Sequence, residues 1–368
     1  MTNPATPAAI LDALRPIIDP DFGKSIVDLG FIKNLKISDG DVSFAIELTT
    51  PACPVKAEFQ KNAQERVLAV AGVENVTIEM TSQTRGRSAA PKGPGPDILP
   101  GVKNVVAIAS GKGGVGKSTT ALNLALALSA TGARVGLMDA DVYGPSIPLL
   151  TGTSGRPEIE GQRILPLEKF GLKLISMGYF AGDNTPVIWR GPMVHGLIQQ
   201  FMTDVEWGEL DYLIVDMPPG TGDAALTLTQ QAPLAGAVIV TTANDLSLID
   251  ARKGLAMFEK VQVPVLGIIE NMSYFTPPDL PDRKYYIFGN GGGKRTADEI
   301  GVDFLGEVPI DPRIVEGGDA GKPIVIDAPD SIAAIAFTEL AGTVARKLAV
   351  LSETGPEIAD ANITWAAS

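Results

Sequence analysis

The chain carries the sequence VVAIASGKGGVGKST at residues 105–119, followed by an alanine- and leucine-rich stretch at 121–130. The run 105–109 is continuously apolar, as expected of a strand that is covered on both faces of its sheet. Gly111 begins a match to the phosphate-binding pattern G-x-x-x-x-G-K-[ST], which requires a strand before it and a helix after it. The segment therefore predicts a strand, a loop and a helix that together bind the phosphates of a nucleotide.

Each residue type in this loop has a chemical reason to be there. Glycines let several backbone N–H groups and the helix N-terminus point at phosphate oxygens. Lys117 is expected to reach the outer phosphates, Ser118 to supply a Mg²⁺ ligand, and Thr119 to lie over the nearer phosphate. The candidate nucleotide-binding residues in the loop are Gly111, Lys112, Gly113, Gly114, Val115, Gly116, Lys117, Ser118 and Thr119. The alternative, a glycine-rich turn that binds nothing, is disfavoured because the complete motif stands between a strand and a helix.

Further apolar runs alternate with helical patterns along the rest of the chain. The expected strands are residues 135–138, 213–215, 238–241, 265–269 and 304–308. Continuous apolar strands separated by helices predict an α/β domain with a doubly wound, mostly parallel sheet. Such a sheet binds its ligand at the carboxyl ends of its strands. A helix over 331–351 is predicted to close the domain.

Acidic residues follow two of these strands directly. Asp139 and Asp141 come after one strand, and Asp216 ends another. A carboxylate at this edge can hold a Mg²⁺-bound water or align the water that attacks a phosphate. With the phosphate-binding loop at the same edge, a functional role is favoured for these carboxylates. A helix cap or a turn is the structural alternative for the first pair.

The first 83 residues predict a separate small α+β domain with the order helix, strand, strand, helix, strand. Asp39-Gly40 is a suitable hairpin turn between the first two strands. Residues 84–101 are rich in proline, glycine and small residues and predict a linker. The domain that carries the phosphate-binding loop is expected over 102–351, with an acidic tail at 352–368.

Composition narrows the class of protein. The 368 residues carry a net charge of −13, which disfavours a nucleic-acid-binding surface, and no segment predicts a membrane span or a secretory signal. We therefore expect a cytoplasmic protein without nucleic-acid or membrane partners. Cys53 is the single cysteine, so neither an intrachain disulfide nor a metal site built only of cysteines can form within one chain.

The loop sequence GKGGVGKST, with its additional Lys112, resembles the deviant Walker A loop of the SIMIBI-class ATPases. The resemblance implies ATP hydrolysis with Mg²⁺ in a homodimer, where Lys112 reaches the nucleotide of the partner subunit like an arginine finger. It also implies that Lys117 and Asp141 take part in catalysis, with Asp141 holding a Mg²⁺-bound water or aligning the attacking water. In the same comparison Asp139 has a supporting role and Asp216 binds Mg²⁺. Asp216 corresponds to the Walker B aspartate, and Asn271 to an asparagine that reads adenine.

Several other segments resemble the Mrp/ApbC family of iron–sulfur cluster carrier ATPases. They are DADVYGPSIP (139–148), WRGPM (189–193), DMPPGTGD (216–223), ENMSYF (270–275) and IFGNGGG (287–293). TTPACP at 49–54 is similar to the small domain associated with metal–sulfur cluster assembly. The resemblance implies an iron–sulfur cluster as cargo, and cluster-assembly or recipient proteins as partners.

The chain departs from this family at one place. Relatives have a C-x-x-C after the segment that matches ENMSYF, whereas residues 276–289 read TPPDLPDRKYYIFG here. Cys53 is then the candidate thiol ligand, because a helix N-terminus would favour its thiolate form. A small buried side chain is the alternative for Cys53, and a structural role is favoured for His195, the single histidine.

Three other functions stay open. The first is a nucleotide-switched scaffold in cluster assembly that holds no cluster itself. The second is a positioning ATPase like MinD or ParA, which should show a basic membrane helix or a basic DNA-binding face. The third, an electron donor like the nitrogenase iron protein, is disfavoured because the cluster cysteines are absent.

Overall fold

The computed structural model describes residues 5–51, 56–84, 86, 98–142, 144–180 and 191–354. They form two compact units. The first contains the described residues up to 84 together with Ala345–Glu353, and the second runs from residue 86 to Val344. Cys53 and residues 189–190, which the sequence singled out, lie outside the described residues.

The small unit has the order of elements that the sequence predicted, with two additional two-residue strands. Its elements are α1 (Pro7–Leu14), β1 (Ile18–Asp19), β2 (Lys24–Ser25), β3 (Ile32–Ser38), β4 (Asp41–Leu48), α2 (Lys56–Leu68) and β5 (Asn75–Ser82). β4 pairs antiparallel with β3 and parallel with β5. The turn between β3 and β4 is Asp39-Gly40, and both residues have positive φ, as a tight two-residue hairpin requires.

The large unit alternates strands and helices. Its strands are β6 (Val102–Ala109), β7 (Val135–Asp139), β8 (Ile159–Glu160), β9 (Arg163–Ile164), β10 (Leu167–Lys169), β11 (Leu172–Ser176), β12 (Leu210–Asp216), β13 (Leu234–Thr241), β14 (Val265–Glu270) and β15 (Phe304–Glu307). Its helices are α3 (Lys117–Ala130), α4 (Ile147–Thr151), α5 (Gly191–Thr203), α6 (Asp223–Gln231), α7 (Asp245–Lys260), α8 (Gly292–Ile300), α9 (Pro312–Asp319), α10 (Ile324–Asp327) and α11 (Ile332–Thr354), of which Ala345–Glu353 belong to the first unit.

Eight strands form one sheet in the order β10-β11-β7-β12-β6-β13-β14-β15. All neighbours pair in parallel except β10 and β11, which form an antiparallel hairpin at one edge. This confirms the predicted doubly wound, mostly parallel sheet. β10 and β11 were not predicted, because they are only three and five residues long and Glu168, Lys169 and Lys173 interrupt the continuous apolar run that marks the central strands.

The position of β6 in the sheet determines where the functional residues lie. β6 lies between β12 and β13, and the chain crosses to opposite sides of β6 to build the two halves of the sheet. The carboxyl ends of these parallel strands meet at one edge of the sheet, which we call the carboxyl edge. A reversal of strand order at a central strand opens a crevice at this edge, where open α/β sheets bind their ligands.

The closing helix differs slightly from the prediction. α11 ends at Thr354, three residues beyond the predicted end at 351, so the first part of the predicted tail is helical. The rest of that tail, 355–368, lies outside the described residues. Among the described residues, no helix is both long and apolar enough to cross a membrane.

Candidate nucleotide-binding site

The loop between β6 and α3 is shaped by its own glycines and hydrogen bonds. Gly114 and Gly116 have φ values of +82° and +79°, a conformation that favours glycine. The Ser110 hydroxyl donates a 2.9 Å hydrogen bond to the Lys112 carbonyl, and the Thr120 amide donates one of 2.9 Å to the Gly116 carbonyl. The second bond begins α3, whose N-terminus therefore faces the loop.

Two other segments of the carboxyl edge hold the loop from outside. The side-chain amide of Asn271, just after β14, donates a 2.9 Å hydrogen bond to the Val115 carbonyl. The Gly220 amide, in the segment after β12, donates a 2.9 Å hydrogen bond to the Ser110 carbonyl. The loop is thus connected to the ends of three different strands.

Close packing explains one glycine, and open space surrounds two others. A Cβ on Gly111 would lie 2.1 Å from the carbonyl carbon of Asp250 in α7, so no larger residue fits there. Around Gly113 and Gly114, a Cβ would meet no heavy atom within 4 Å. The loop is therefore packed tightly at its start and is open in its middle, where backbone N–H groups can receive a ligand.

Lys117 lies at the centre of the site, and its side chain is only 6 % exposed. Its Nζ is 2.5 Å from Asp216 Oδ1 and 3.7 Å from Asp141 Oδ2, and it donates a 3.3 Å hydrogen bond to Ser118 Oγ. Since an ammonium group has three N–H donors, Lys117 can bridge these acidic groups and a phosphate. The structure thus brings together four of the residues that the sequence predicted.

The third carboxylate, Asp139, is fully buried and organises the loop after β7. It accepts hydrogen bonds from the Ser176 hydroxyl (2.8 Å), the Ile147 amide (3.2 Å) and the Asp141 amide (3.1 Å). These bonds join β7 to β11 and to the start of α4, and they orient Asp141. The supporting role of Asp139 stays a prediction. Ser176 was missed, because no local pattern connects it with a residue 37 positions earlier.

The buried carboxyl groups of Asp139 and Asp216 have raised pKa values. Burial raises the pKa of Asp216, and the adjacent Lys117 ammonium opposes this rise. Burial and the neighbouring charge of Asp216 raise the pKa of Asp139 to about 7, against the Ser176 hydrogen bond, which lowers it. Strongly shifted carboxylates grouped around one buried lysine are typical of a functional site.

The oxygen atoms at the site fit Mg²⁺. Asp216 Oδ2 is buried and makes no hydrogen bond with the described residues, so it is available to a cation or to a cation-bound water. Among the described residues, no group of three or more His, Cys, Asp or Glu side chains is arranged to enclose a metal ion. Few protein ligands, all of them oxygens, suit Mg²⁺, which keeps several waters and binds phosphate oxygens.

The remaining candidates lie apart from this centre. Lys112 is partly exposed and forms no ion pair with the part of the chain that the structure describes. His195 is exposed on α5, with its Nε2 2.8 Å from the side-chain amide nitrogen of Gln231. It lines a cavity of about 730 Å³ together with Pro218 and Asp223, beside the segment that follows β12.

The site is therefore a glycine-rich loop between a central parallel strand and the N-terminus of a helix, with a buried lysine and carboxylates from two adjacent strands. This fold and this site define a P-loop NTPase.

Residues 101–345 match the family of NUBPL iron-transfer P-loop NTPases, and residues 7–80 match the iron–sulfur cluster assembly protein family. The chain belongs to the NUBPL iron-transfer P-loop NTPase family, which includes the iron–sulfur cluster carrier proteins. The resemblance to the Mrp/ApbC carriers is thereby confirmed over both halves of the chain.

Individual relatives agree with this assignment. The chain is 50 % identical over 350 residues to an iron–sulfur cluster carrier protein of Synechocystis, covering 94 % of this chain and 98 % of the relative. It is 47 % identical over 349 residues to the chloroplastic Fe-S cluster assembly factor HCF101 of Arabidopsis thaliana, covering 94 % and 64 %. A solved nucleotide-binding protein from Archaeoglobus fulgidus, in complex with ADP, is 38 % identical with a TM-score of 0.55, covering 61 % of this chain and 88 % of that one.

Proposed function

We propose that this protein is a Mg²⁺-dependent ATPase that binds iron–sulfur clusters and transfers them to recipient proteins, with two copies closing over ATP. The observation that carries the ATPase assignment is the position of Lys117, at the N-terminus of α3 and within 4 Å of Asp216, Asp141 and Ser118. Membership of the carrier family supports iron–sulfur clusters as the cargo.

Each residue of the loop has a role in this function. Backbone N–H groups from Gly113 to Thr119 bind the phosphate oxygens, and Lys117 neutralises the charge of the outer phosphates. Ser118 and Asp216 would hold Mg²⁺, which would neutralise charge on the phosphate oxygens. Asp141 aligns the attacking water.

Lys112 and Asn271 complete the nucleotide site. The Lys112 ammonium is partly exposed and unpaired among the described residues, so it is available to a nucleotide held by the partner subunit. It would stabilise the negative charge that develops on the terminal phosphate during cleavage. Asn271 uses its amide N–H on Val115, which leaves its carbonyl oxygen to accept a hydrogen bond from adenine.

The segment after β12 provides a path from the nucleotide to the cargo. Its Gly220 amide is bonded to the Ser110 carbonyl at the start of the phosphate loop. The same segment contributes Pro218, Pro219 and Asp223 to the cavity beside α5. A movement at the terminal phosphate would therefore reach this surface directly, which supports a nucleotide-dependent switch in how the protein holds its cargo or partner.

The alternative is a nucleotide-switched scaffold that does not hold a cluster itself. The absence of a C-x-x-C from the sequence favours it, because Cys53 is the single cysteine and a dimer would contain only two thiols. Protein-held clusters are usually bound by four thiolates. A positioning ATPase is disfavoured, since the net charge of −13 suits neither DNA nor an anionic membrane surface.

Two measurements on the full chain test the proposal. Phosphate release from ATP should require Mg²⁺ and should disappear in Lys117→Ala. Anaerobic reconstitution with iron and sulfide should load wild-type protein, and Cys53→Ala should load much less. Wild-type protein that hydrolyses ATP but binds no iron or sulfide would favour the scaffold, and a stoichiometric cluster in Cys53→Ala would contradict ligation by Cys53.

A further inference from the structure

Glu270, the last residue of β14, carries a fully buried carboxylate at the carboxyl edge. Its Oε1 accepts a 2.7 Å hydrogen bond from the Ser273 hydroxyl, and its Oε2 accepts one of 2.6 Å from the Gly293 amide. Burial of an ionised carboxylate is costly unless hydrogen bonds and opposite charge compensate it. Each of these two bonds connects Glu270 to a different part of the fold.

The N-terminus of α8 compensates the charge of Glu270. Gly293 is the second residue of α8, so its amide has no acceptor within the helix. Gly291, the residue before the helix, has no side chain that could cap it, and the first turn of α8 contains no acidic residue. A carboxylate at this place is stabilised by the positive end of the helix dipole. Glu270 therefore caps α8 from a separate strand.

The close approach of α8 to β14 depends on two glycines in the segment IFGNGGG. A Cβ on Gly293 would lie 3.0 Å from Glu270 Oε2, and one on Gly292 would lie 2.3 Å from the Ala243 carbonyl oxygen. Side chains at these positions would push α8 away from the end of the sheet. The glycines thus allow the Glu270 carboxylate to reach the helix N-terminus.

The bond to Ser273 closes a strained turn that carries Asn271. Met272 has a φ of +54°, a left-handed conformation that side chains such as that of methionine rarely adopt. The turn is held on its far side by the Ser273 amide, which donates a 3.0 Å hydrogen bond to the Val308 carbonyl, and by the Ser273 hydroxyl, which bonds Glu270. Strained backbone that surrounding bonds keep in place is found most often at functional sites.

Asn271 depends on this turn for its position. Its side-chain amide donates a hydrogen bond to the Val115 carbonyl, and a Cβ on Gly116 would lie only 2.2 Å from its Nδ2. Because the fit is this tight, a small rotation of the turn would either break the bond or press on the phosphate loop. Glu270 precedes Asn271 directly and bonds Ser273 on its other side, which fixes the direction of the Asn271 side chain.

We infer that Glu270 is a positioning residue of the nucleotide site and that it acts through Asn271. Its carboxylate joins the turn after β14 to the N-terminus of α8, and it thereby holds the Asn271 amide against the phosphate loop. This inference rests on the proposed function, in which that loop binds the phosphates of ATP. Glu270 itself touches no nucleotide in this role.

Calorimetric titration of the full chain with Mg²⁺-ATP and with inorganic triphosphate tests this role. Glu270→Gln preserves the size of the side chain but replaces one acceptor oxygen with an N–H donor. We expect the affinity for ATP to fall by about tenfold, because one buried hydrogen bond is lost. The loss should be distributed over ATP and triphosphate as it is in Asn271→Ala. In the double variant the two losses should not add, because Glu270 acts through Asn271.

Ser273→Ala is a milder second variant, because it removes only the hydroxyl that closes the turn and leaves the cap of α8 in place. It should lower the affinity for the two ligands in the same proportion but to a smaller extent. If Glu270→Gln does not fold, the same double-variant comparison with Ser273→Ala decides the question.

Asp211→Asn is the matched control. Asp211 is also buried, and its carboxylate accepts a 2.9 Å hydrogen bond from the Arg134 amide near the start of β12, away from the phosphate loop. This variant should lower the unfolding midpoint but bind ATP like wild-type protein. An equal loss of ATP affinity in Asp211→Asn and Glu270→Gln would overturn the inference, because the loss would then follow from lower stability alone.

Two further results would overturn the inference and spare the ATPase assignment. One is fully additive losses when Asn271→Ala is combined with Glu270→Gln or with Ser273→Ala. The other is wild-type affinity for ATP in both of the single variants Glu270→Gln and Ser273→Ala. Wild-type protein that binds neither ATP nor ADP would instead overturn the proposed function itself.

Discussion

Asn271 donates a 2.9 Å hydrogen bond from its side-chain amide to the carbonyl of Val115, so the end of β14 holds the phosphate loop across 156 positions of sequence. Sequence comparison with the SIMIBI ATPases suggests that this asparagine reads adenine. The structure adds a second role that does not depend on the base. Comparing ATP with a phosphate ligand that has no base separates the two roles.

Asn271→Ala should leave a buried carbonyl unpaired and lower the free energy of unfolding by about 1–3 kcal/mol. If Asn271 holds the loop, the variant should lose affinity for inorganic triphosphate as well as for ATP. Loss of affinity for ATP alone, measured by calorimetry, would indicate base recognition without loop support. Asn104→Ala is the control, because Asn104 is also buried and bonds the Asp211 carbonyl, where β12 begins, far from the loop.

The pair of Lys117 with Asp216 predicts a large effect on stability as well as on turnover. Lys117→Met leaves Asp216, which is fully buried, without its cation, and should lower the free energy of unfolding by about 3–5 kcal/mol. Adding Asp216→Asn should restore much of this stability but no ATP hydrolysis. Urea unfolding and phosphate release measure the two effects independently.

Lys103→Met is the matched control for that charge pair. Lys103 pairs with Asp211 at 2.8 Å, but its side chain is 29 % exposed and the pair lies away from the phosphate loop. We expect a loss of about 1 kcal/mol or less and normal turnover. Equal losses in Lys103→Met and Lys117→Met would contradict the view that burial of Asp216 makes its cation indispensable.

The proposed action of Lys112 on the partner's nucleotide can be tested by mixing two inactive variants. The Lys112→Ala subunit retains Asp141, and the Asp141→Ala subunit retains Lys112, which would act on the nucleotide of its partner. Each should hydrolyse ATP slowly alone while still binding it. An equal mixture should recover about a quarter of wild-type turnover, because half of the dimers are mixed and each of these has one complete site. A mixture as inactive as its parts would place Lys112 in its own subunit's site or outside catalysis.

Gly111 and Gly113 should respond differently to the same change. Gly111→Ala places a methyl group 2.1 Å from the backbone of Asp250, so either the loop or α7 must shift. We expect a lower melting temperature and weaker nucleotide binding. Gly113→Ala meets no atom within 4 Å and should melt like wild-type protein. Equal melting temperatures for the two variants would show that α7 moves to accommodate the methyl group of Gly111→Ala with little loss of stability.

Much of the fold was predictable because its signals are local. Continuous apolar runs identified the central strands, although β12 begins at Leu210 rather than at 213. The Asp39-Gly40 turn marked the hairpin of the small unit, because both positions need a conformation that these residues tolerate. Strands β10 and β11 escaped detection, since three and five residues interrupted by Glu168, Lys169 and Lys173 lack the continuous apolar run of the central strands.

The candidate site was predictable only in part. The loop itself contains Lys117 and Ser118, and two strands are followed or ended by Asp141 and Asp216. A parallel sheet must bring such positions to one edge. Nothing local indicated that Ser176 would bond Asp139, or that Asp250 would exclude a side chain at Gly111. Such contacts depend on how distant elements pack.

The sequence by itself determined that this chain contains a phosphate-binding loop with an additional lysine, that the loop joins a buried strand to a helix, and that the chain lacks a cysteine pair. These are properties of residue type and spacing, which act over a few residues. Only the tertiary structure decided that Lys117 compensates the buried Asp216, that Asn271 supports Val115, and that Asp250 excludes a side chain at Gly111. Those relationships join residues from separate strands and helices, because burial and charge pairing are set by the packed sheet rather than by neighbours in sequence.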